Sequence, residues 1–119
     1  MTIDQASFRT AMSHFPCGVT VVTTKSDEGP AGLTVSSFCS LSLDPPLVLV
    51  CIDKGVASHV AISSSGRFAV NILTEEQEDV SRTFASRLED KFAGVGTRDG
   101  IGAVPLIEGS LAIVECSVH

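Results

Sequence analysis

Gly32-Leu33-Thr34-Val35-Ser36-Ser37-Phe38-Cys39-Ser40-Leu41-Ser42-Leu43-Asp44-Pro45-Pro46-Leu47-Val48-Leu49-Val50-Cys51-Ile52 carries three extended runs joined by connections too short for a crossover. The first runs from Ala31 to Ser37 and the second from Phe38 to Leu43. Asp44-Pro45-Pro46 then ends the extended backbone in a turn, because proline lacks an N–H and restricts the residue before it. Leu47 to Ile52 is a continuous apolar run, the pattern of a strand buried on both faces. Upstream, Val19 to Thr24 (Val-Thr-Val-Val-Thr-Thr) is almost wholly β-branched and favours a strand. Ser26-Asp27-Glu28-Gly29-Pro30 separates it from the Ala31 run as a polar turn.

Helices flank this centre. Phe8, Ala11, Met12 and Phe15 recur at three and four, Asp4 is placed to cap them and Pro16 ends the pattern, which predicts a helix over Asp4 to Phe15. Downstream of Asp53-Lys54-Gly55, Ser58 is expected to cap a short helix that stops at the serines and glycine of Ser63 to Gly66. Arg67 to Leu73 reads as a strand. Thr74 and Gln77 form a capping-box pattern opening a helix through Val80, Phe84 and Leu88, with Glu75, Glu76 and Glu78 suited to its positive end. Phe92 to Gly109, with five glycines and one proline, reads as a long ordered loop, and Ser110 to Val118 as a final strand. About six strands with three short helices make a mainly β, antiparallel barrel the expected class. That last strand reaches His119 in mid-pattern, which points to a chain cut before its natural end or to an open edge covered by a partner.

The 119 residues, 44% of them hydrophobic, suffice for one compact domain, 1–119, and not for two. The longest apolar runs fall far short of the roughly 20 residues of a membrane helix. Eight basic against fourteen acidic side chains give a net charge of −6, so no basic footprint for nucleic acid exists. Met1-Thr2-Ile3-Asp4 is no secretory signal, which makes the cytoplasm the expected compartment. Cys17, Cys39, Cys51 and Cys116 are spaced like neither a disulfide framework nor a zinc site and are expected to be reduced and mostly buried. With neither tryptophan nor tyrosine, a ligand would be held mainly by backbone and hydroxyl groups.

Two segments stand out as candidate ligand surfaces. Thr34, Ser36, Ser37, Ser40 and Ser42 crowd hydroxyls into one apolar region, either as a solvated strand face or as a polar wall that donates to a ligand. In Cys51-Ile52-Asp53-Lys54-Gly55-Val56-Ala57-Ser58, a strand emerges into a turn with a lysine and then a helix start, where free amides and a cation favour an anion. The alternative for Lys54 is an ordinary surface lysine. Asp44 and Asp53 read as turn residues, and Arg67, Arg82, Arg87 and Arg98 as solvated or ion-paired. His14, His59 and His119 are scattered, and no metal is expected. No hydrolase elbow or glycine-rich phosphate loop occurs.

The order Thr34-Val35-Ser36-Ser37-Phe38, Ser40-Leu41-Ser42-Leu43-Asp44-Pro45-Pro46-Leu47 closely resembles the flavin reductase-like family, short-chain reductases that supply reduced flavin to two-component monooxygenases. Phe8-Arg9, Cys17-Gly18-Val19-Thr20-Val21-Val22-Thr23, Gly66 to Leu73, Lys91-Phe92 and Pro105 to Gly109 match in the same order, so the resemblance covers nearly the whole chain. It implies an FMN-binding split β-barrel, a six-stranded antiparallel Greek-key barrel with short flanking helices, forming a homodimer that holds FMN or FAD near the subunit interface. By that resemblance Thr34, Val35, Ser36 and Ser37 line the ring system and ribityl chain. Cys51, Ile52, Asp53, Lys54 and Ser58 approach the phosphate end, and Phe84, Ala85 and Lys91 add further contacts. Family members continue after Glu115-Cys116-Ser117-Val118-His119 into a Gly-Asp-His segment on the nicotinamide side, so the domain is expected to lack its C-terminal segment.

The implied reaction moves a hydride from NADH or NADPH to the flavin, with no catalytic side chain required. The cofactors carry the chemistry, and holding the two rings in contact is worth up to roughly 7 to 11 kcal/mol. Reduced flavin would then pass to a monooxygenase component. A non-catalytic flavin-binding or storage domain of the same fold, and a purely structural β-barrel, are the rivals.

Overall fold

The computed structural model describes residues 4–7 and 19–119. From residue 19 on, eight strands and two α-helices follow in the order β1 (Thr20–Ser26), β2 (Gly29–Val35), β3 (Phe38–Ser42), β4 (Leu47–Val50), α1 (Ala57–Ser65), β5 (Arg67–Ile72), α2 (Glu78–Ala85), β6 (Thr97–Asp99), β7 (Pro105–Ile107) and β8 (Ala112–Ser117). Every pairing is antiparallel. The main sheet has the order β2-β1-β5-β8, beside which stand two separate hairpins, β3-β4 and β6-β7. The mainly β, antiparallel expectation holds. Among the described residues the ladders do not close into a barrel, and the strands number eight where about six were expected.

β1 and β5 are the central strands of the sheet and carry the core on both faces. Val22, Phe68 and Val70 project to one side, where Val35 of β2 and Ile62 of α1 meet them, together with half-buried Phe38, Val50 and Ile52. Val21 projects to the other side with Leu73, Phe84 of α2 and Ile107 of β7. Ala69, Val104 and Leu106 extend that second layer. This period-two division between two layers is what a strand buried on both faces requires.

The two-sided strand is therefore β1, whereas the sequence pattern pointed to Leu47–Ile52. β4 pairs only with β3, so Leu49 stays exposed while Val50 and Ile52 pack inward. β1 hides its role behind threonines, which are fully buried at no penalty because each hydroxyl finds a carbonyl. Thr20 Oγ1 donates to Val35 O (2.5 Å), Thr23 Oγ1 to Pro105 O (2.6 Å) and Thr24 Oγ1 to Arg67 O (2.6 Å). Asn71, enclosed in β5, ties three strands. Its Nδ2 donates to Val21 O (2.9 Å) and Thr23 Oγ1 (3.0 Å), and its Oδ1 accepts from the Ile107 amide (2.9 Å).

Other expectations are corrected locally. The Ser26–Pro30 turn tightens to Asp27 and Glu28, because Gly29 adopts φ 115° and re-enters the ladder opposite Ser26. Asp4 does cap the opening turn, its Oδ1 accepting from the Ser7 amide at 2.8 Å, which holds its carboxyl below the usual range; the remainder of the helix expected to Phe15 lies outside the described residues. Ser58 does not cap α1. Val56 occupies that position, and Ser58 is buried at the second helical position. Gly66 ends α1 as expected, left-handed at φ 73°, its amide bonded to Ile62 O at 2.8 Å. The capping box forms, the Thr74 amide donating to Gln77 Oε1 at 2.9 Å, but α2 stops at Ala85 and leaves Leu88 exposed beyond it. Finally, Phe92–Gly109 is more than the long ordered loop expected, since it contains the β6-β7 hairpin laid against β1 and β5. Its glycines mark turns around two short strands.

Candidate functional site

The two sequence segments singled out as ligand surfaces meet. β2 ends at Val35 and β3 begins at Phe38, so Ser36 and Ser37 form an exposed corner between two sheets. There the Ser37 hydroxyl donates to Cys51 O (3.1 Å) and the Cys51 amide donates to Ser37 O (3.3 Å). This reciprocal pair extends the β3-β4 ladder by one residue and sets the Cys51–Lys54 exit directly beside the serine corner. Asp53 acts as the turn residue expected, its Oδ1 accepting from the Gly55 amide at 2.9 Å. Lys54 is exposed and makes no hydrogen bond or ion pair among the described residues. The start of α1 lies three residues on, with neither a side-chain cap nor an acidic residue in its first turn. An anion beside Lys54 would meet uncompensated amides.

The remaining predicted residues separate by burial. Val35, Ser58 and Phe84 are enclosed, and Ile52 is half-buried against the core. Phe84 has no exposed surface, and its ring meets Phe92 edge-on at 4.9 Å between centroids, so of this pair only the exposed Ala85 can touch a ligand. Thr34 Oγ1 donates to Ser81 O of α2 at 2.5 Å. Lys91 Nζ donates to Gly32 O (3.0 Å) and Phe84 O (3.2 Å), and burial pulls its pKa below the ordinary lysine value. Ser36, Ser37, Cys51, Asp53, Lys54 and Ala85 are thus exposed, while the side chains of Thr34, Ser37 and Lys91 are engaged with protein carbonyls.

Sequence reasoning overlooked Gly32. Its position has no room for a side chain, since a Cβ there would lie 2.8 Å from Phe84 Cε1 and 3.2 Å from Val22 O. It also overlooked Asn71, for which a signal existed, because an amide inside Arg67-Phe68-Ala69-Val70-Asn71-Ile72 is costly unless fully bonded. The cysteines differ from expectation as well. Cys39 and Cys51 are free but exposed, Cys116 is half-buried with its thiol pKa pushed up by burial, and Cys17 lies outside the described residues. The outer face of β3-β4, carrying Cys39, Leu41, Leu49 and Cys51, is apolar and open, and Leu43 at the hairpin end is 92% exposed.

Two cavities among the described residues lie elsewhere. One of about 450 Å³ is lined by Lys25, Ser26, Asp27, Ser65 and Arg67 at the far end of β1, and one of about 200 Å³ by Phe68, Ile101, Glu115 and Cys116. The serine corner is an open surface in the single chain. Among the described residues no helix is long and apolar enough to cross a membrane, and no group of three or more histidine, cysteine or acidic side chains comes together.

Comparison with known proteins places this geometry among relatives. The sequence profile described as flavin reductase like domain matches residues 12–119. The reductase subunit of a flavin-dependent monooxygenase from Mycobacterium tuberculosis is 50% identical over 116 residues, which is 98% of this chain and 62% of that protein. The chain thus spans under two thirds of that relative's length. The crystal structure of nitrilotriacetate monooxygenase component B from Mycobacterium thermoresistibile superposes with a TM-score of 0.92 at 50% identity, covering 98% of this chain and 65% of that one. An NADH:FAD oxidoreductase from Streptomyces globisporus, solved with NAD and FAD fragments, gives 0.90 at 40% identity, covering 98% and 70%.

Proposed function

The chain belongs to the flavin reductase-like domain family, and on that footing we propose that it binds FMN or FAD at the serine corner and passes a hydride to it from NADH or NADPH. The observation that carries this reading is the reciprocal Ser37–Cys51 pairing, which brings the hydroxyl corner and the Lys54 turn onto one surface. The donor set there fits the group. The exposed Ser36 hydroxyl suits the carbonyl-bearing edge of a flavin ring, and Lys54 with the open start of α1 suits its phosphate. A bound flavin supplies the hydride acceptor, and the protein contributes no acid, base or nucleophile. Ser36, Ser37, Cys51 and Asp53 orient the ring and ribityl chain, Ala85 closes one side, and Val35, Ile52, Ser58 and Phe84 stiffen the wall from within.

An open corner leaves a ring wet on one side, and a second copy of the chain covers it in this reading. The exposed apolar face of β3-β4 with Leu41, Leu43 and Leu49 supports a homodimer. The sheet and hairpins are then walls of a split β-barrel. The reduced flavin passes to a monooxygenase component, and a cytoplasmic setting supplies the reduced nicotinamide. Loss of reduced-nicotinamide absorbance in the presence of the chain and FMN or FAD is the test. Faster oxidation than in protein-free controls supports a reductase. Oxidation at the control rate with flavin bound would leave a flavin-binding domain, and oxidation at the control rate without bound flavin would remove the reading altogether.

A further inference from the structure

We infer that Lys91 is a positioning residue of the flavin site, clamping α2 onto β2 so that the Ser36–Ser37 corner is held in place, and does not itself touch the ligand's phosphate. This rests on the flavin reading above. The geometry is a two-rung tie. On β2, residues 32 and 34 share one strand face, and on α2 the carbonyls of Ser81 and Phe84 lie one turn apart. Thr34 Oγ1 reaches the Ser81 carbonyl at 2.5 Å. Gly32 cannot form the second rung itself, because it has no side chain and Phe84 fills the space beside it. Lys91 forms it from outside the strand, bridging Gly32 O and Phe84 O at 3.0 and 3.2 Å.

Two of the three ammonium N–H groups are thereby spent on backbone carbonyls, one of them in the last turn of α2 where a cation is favoured. The side chain is half-buried, and the lowered pKa has desolvation as its cause. A phosphate-binding lysine is used differently, as an exposed and unengaged point charge, which describes Lys54. The site thus has one cation to hold its wall and another to meet an anion.

Fluorescence-quenching titrations of the full chain with FMN and with riboflavin, which lacks the phosphate, separate the roles. Lys91→Met is expected to weaken both ligands by the same factor, about tenfold, as expected from losing charged hydrogen bonds behind the site. Amide exchange of Ser81–Ser86 in the ligand-free protein is expected to speed up, while Lys91→Arg restores affinity for both flavins. Lys54→Met serves as contrast, weakening FMN and sparing riboflavin. Loss confined to FMN in Lys91→Met, no loss with either ligand, or an arginine no better than methionine would overturn the assignment. If Lys91→Met does not fold, Thr34→Val removes the other rung and must show the same equal loss. A wild-type chain that quenches neither flavin would instead refute the flavin reading, and the exchange measurement would still report whether the clamp exists.

Discussion

Replacing Gly32 with alanine sets two effects of opposite sign against each other, and the structure says which wins. Reduced freedom of the unfolded chain favours alanine by about 0.4–1 kcal/mol where its backbone conformation is allowed. Against this, the new methyl would sit 2.8 and 3.0 Å from Phe84 Cε1 and Cδ1 and 3.2 Å from the Val22 carbonyl, so something must retreat by several tenths of an ångström. Phe84 has nowhere to retreat, being fully buried and locked against Phe92. Overpacking of this kind costs about 1–3 kcal/mol, leaving a net loss of about 1–2 kcal/mol. Urea unfolding should show a lower midpoint at unchanged m-value, and thermal unfolding a Tm lower by about 4–8 °C. The cost should shrink in a Phe84→Leu background, where the ring is gone. A Gly32→Ala chain as stable as wild type, or more so, would refute the claim that the Phe84 ring packs directly against the β2 backbone at this point.

Asn71→Ala strands the buried Ile107 amide and opens a small cavity, and should cost about 3 kcal/mol in urea unfolding; a cost under about 1 kcal/mol would mean the amide finds another partner. Alkylation mapped by peptide mass spectrometry should modify Cys39 and Cys51 before Cys116, which is half-buried with a raised pKa, and dimerisation over β3-β4 should slow the first two. Leu41→Glu with Leu49→Lys should shift the sedimentation coefficient to that of a monomer and weaken flavin binding without lowering Tm by more than the loss of the dimer explains. Lys91 makes stability pH-dependent with a definite sign. Its folded pKa lies below the ordinary 10.5, so between the two values the unfolded chain binds the extra proton and stability rises with pH. The neutral amine keeps two donors for its two carbonyls, and Lys91→Met should flatten that rise.

What could be read from the sequence was set by local chemistry. The β3-β4 region is punctuated by Asp44-Pro45-Pro46 and could be placed to within two residues, as could β5 and the Gly66 stop, because each boundary has its own cap or breaker. Burial was another matter. The apolar run Leu47–Ile52 suggested two covered faces, while β1, with three threonines among its seven residues, owns them, since whether a hydroxyl is buried depends on carbonyls 15 to 82 residues away. The β6-β7 hairpin was hidden because each strand has three residues, too few for a periodic pattern. Within the site, the serine corner and Lys54 announced themselves by composition. Lys91 announced only its charge; that the charge faces inward follows from Gly32 and α2, a contact across 59 residues that no local pattern encodes.

The central claim is that the Ser36–Ser37 corner and the Cys51–Lys54 turn form one flavin surface, away from the cavities at the far end of β1 and beside Phe68. Backbone chemical-shift mapping on titration with FMN tests it directly. Perturbations clustered at residues 34–37 and 51–58, saturating at one flavin per chain, are the predicted result. Perturbations centred on Lys25, Ser65 and Arg67, or none at saturating flavin, would contradict it.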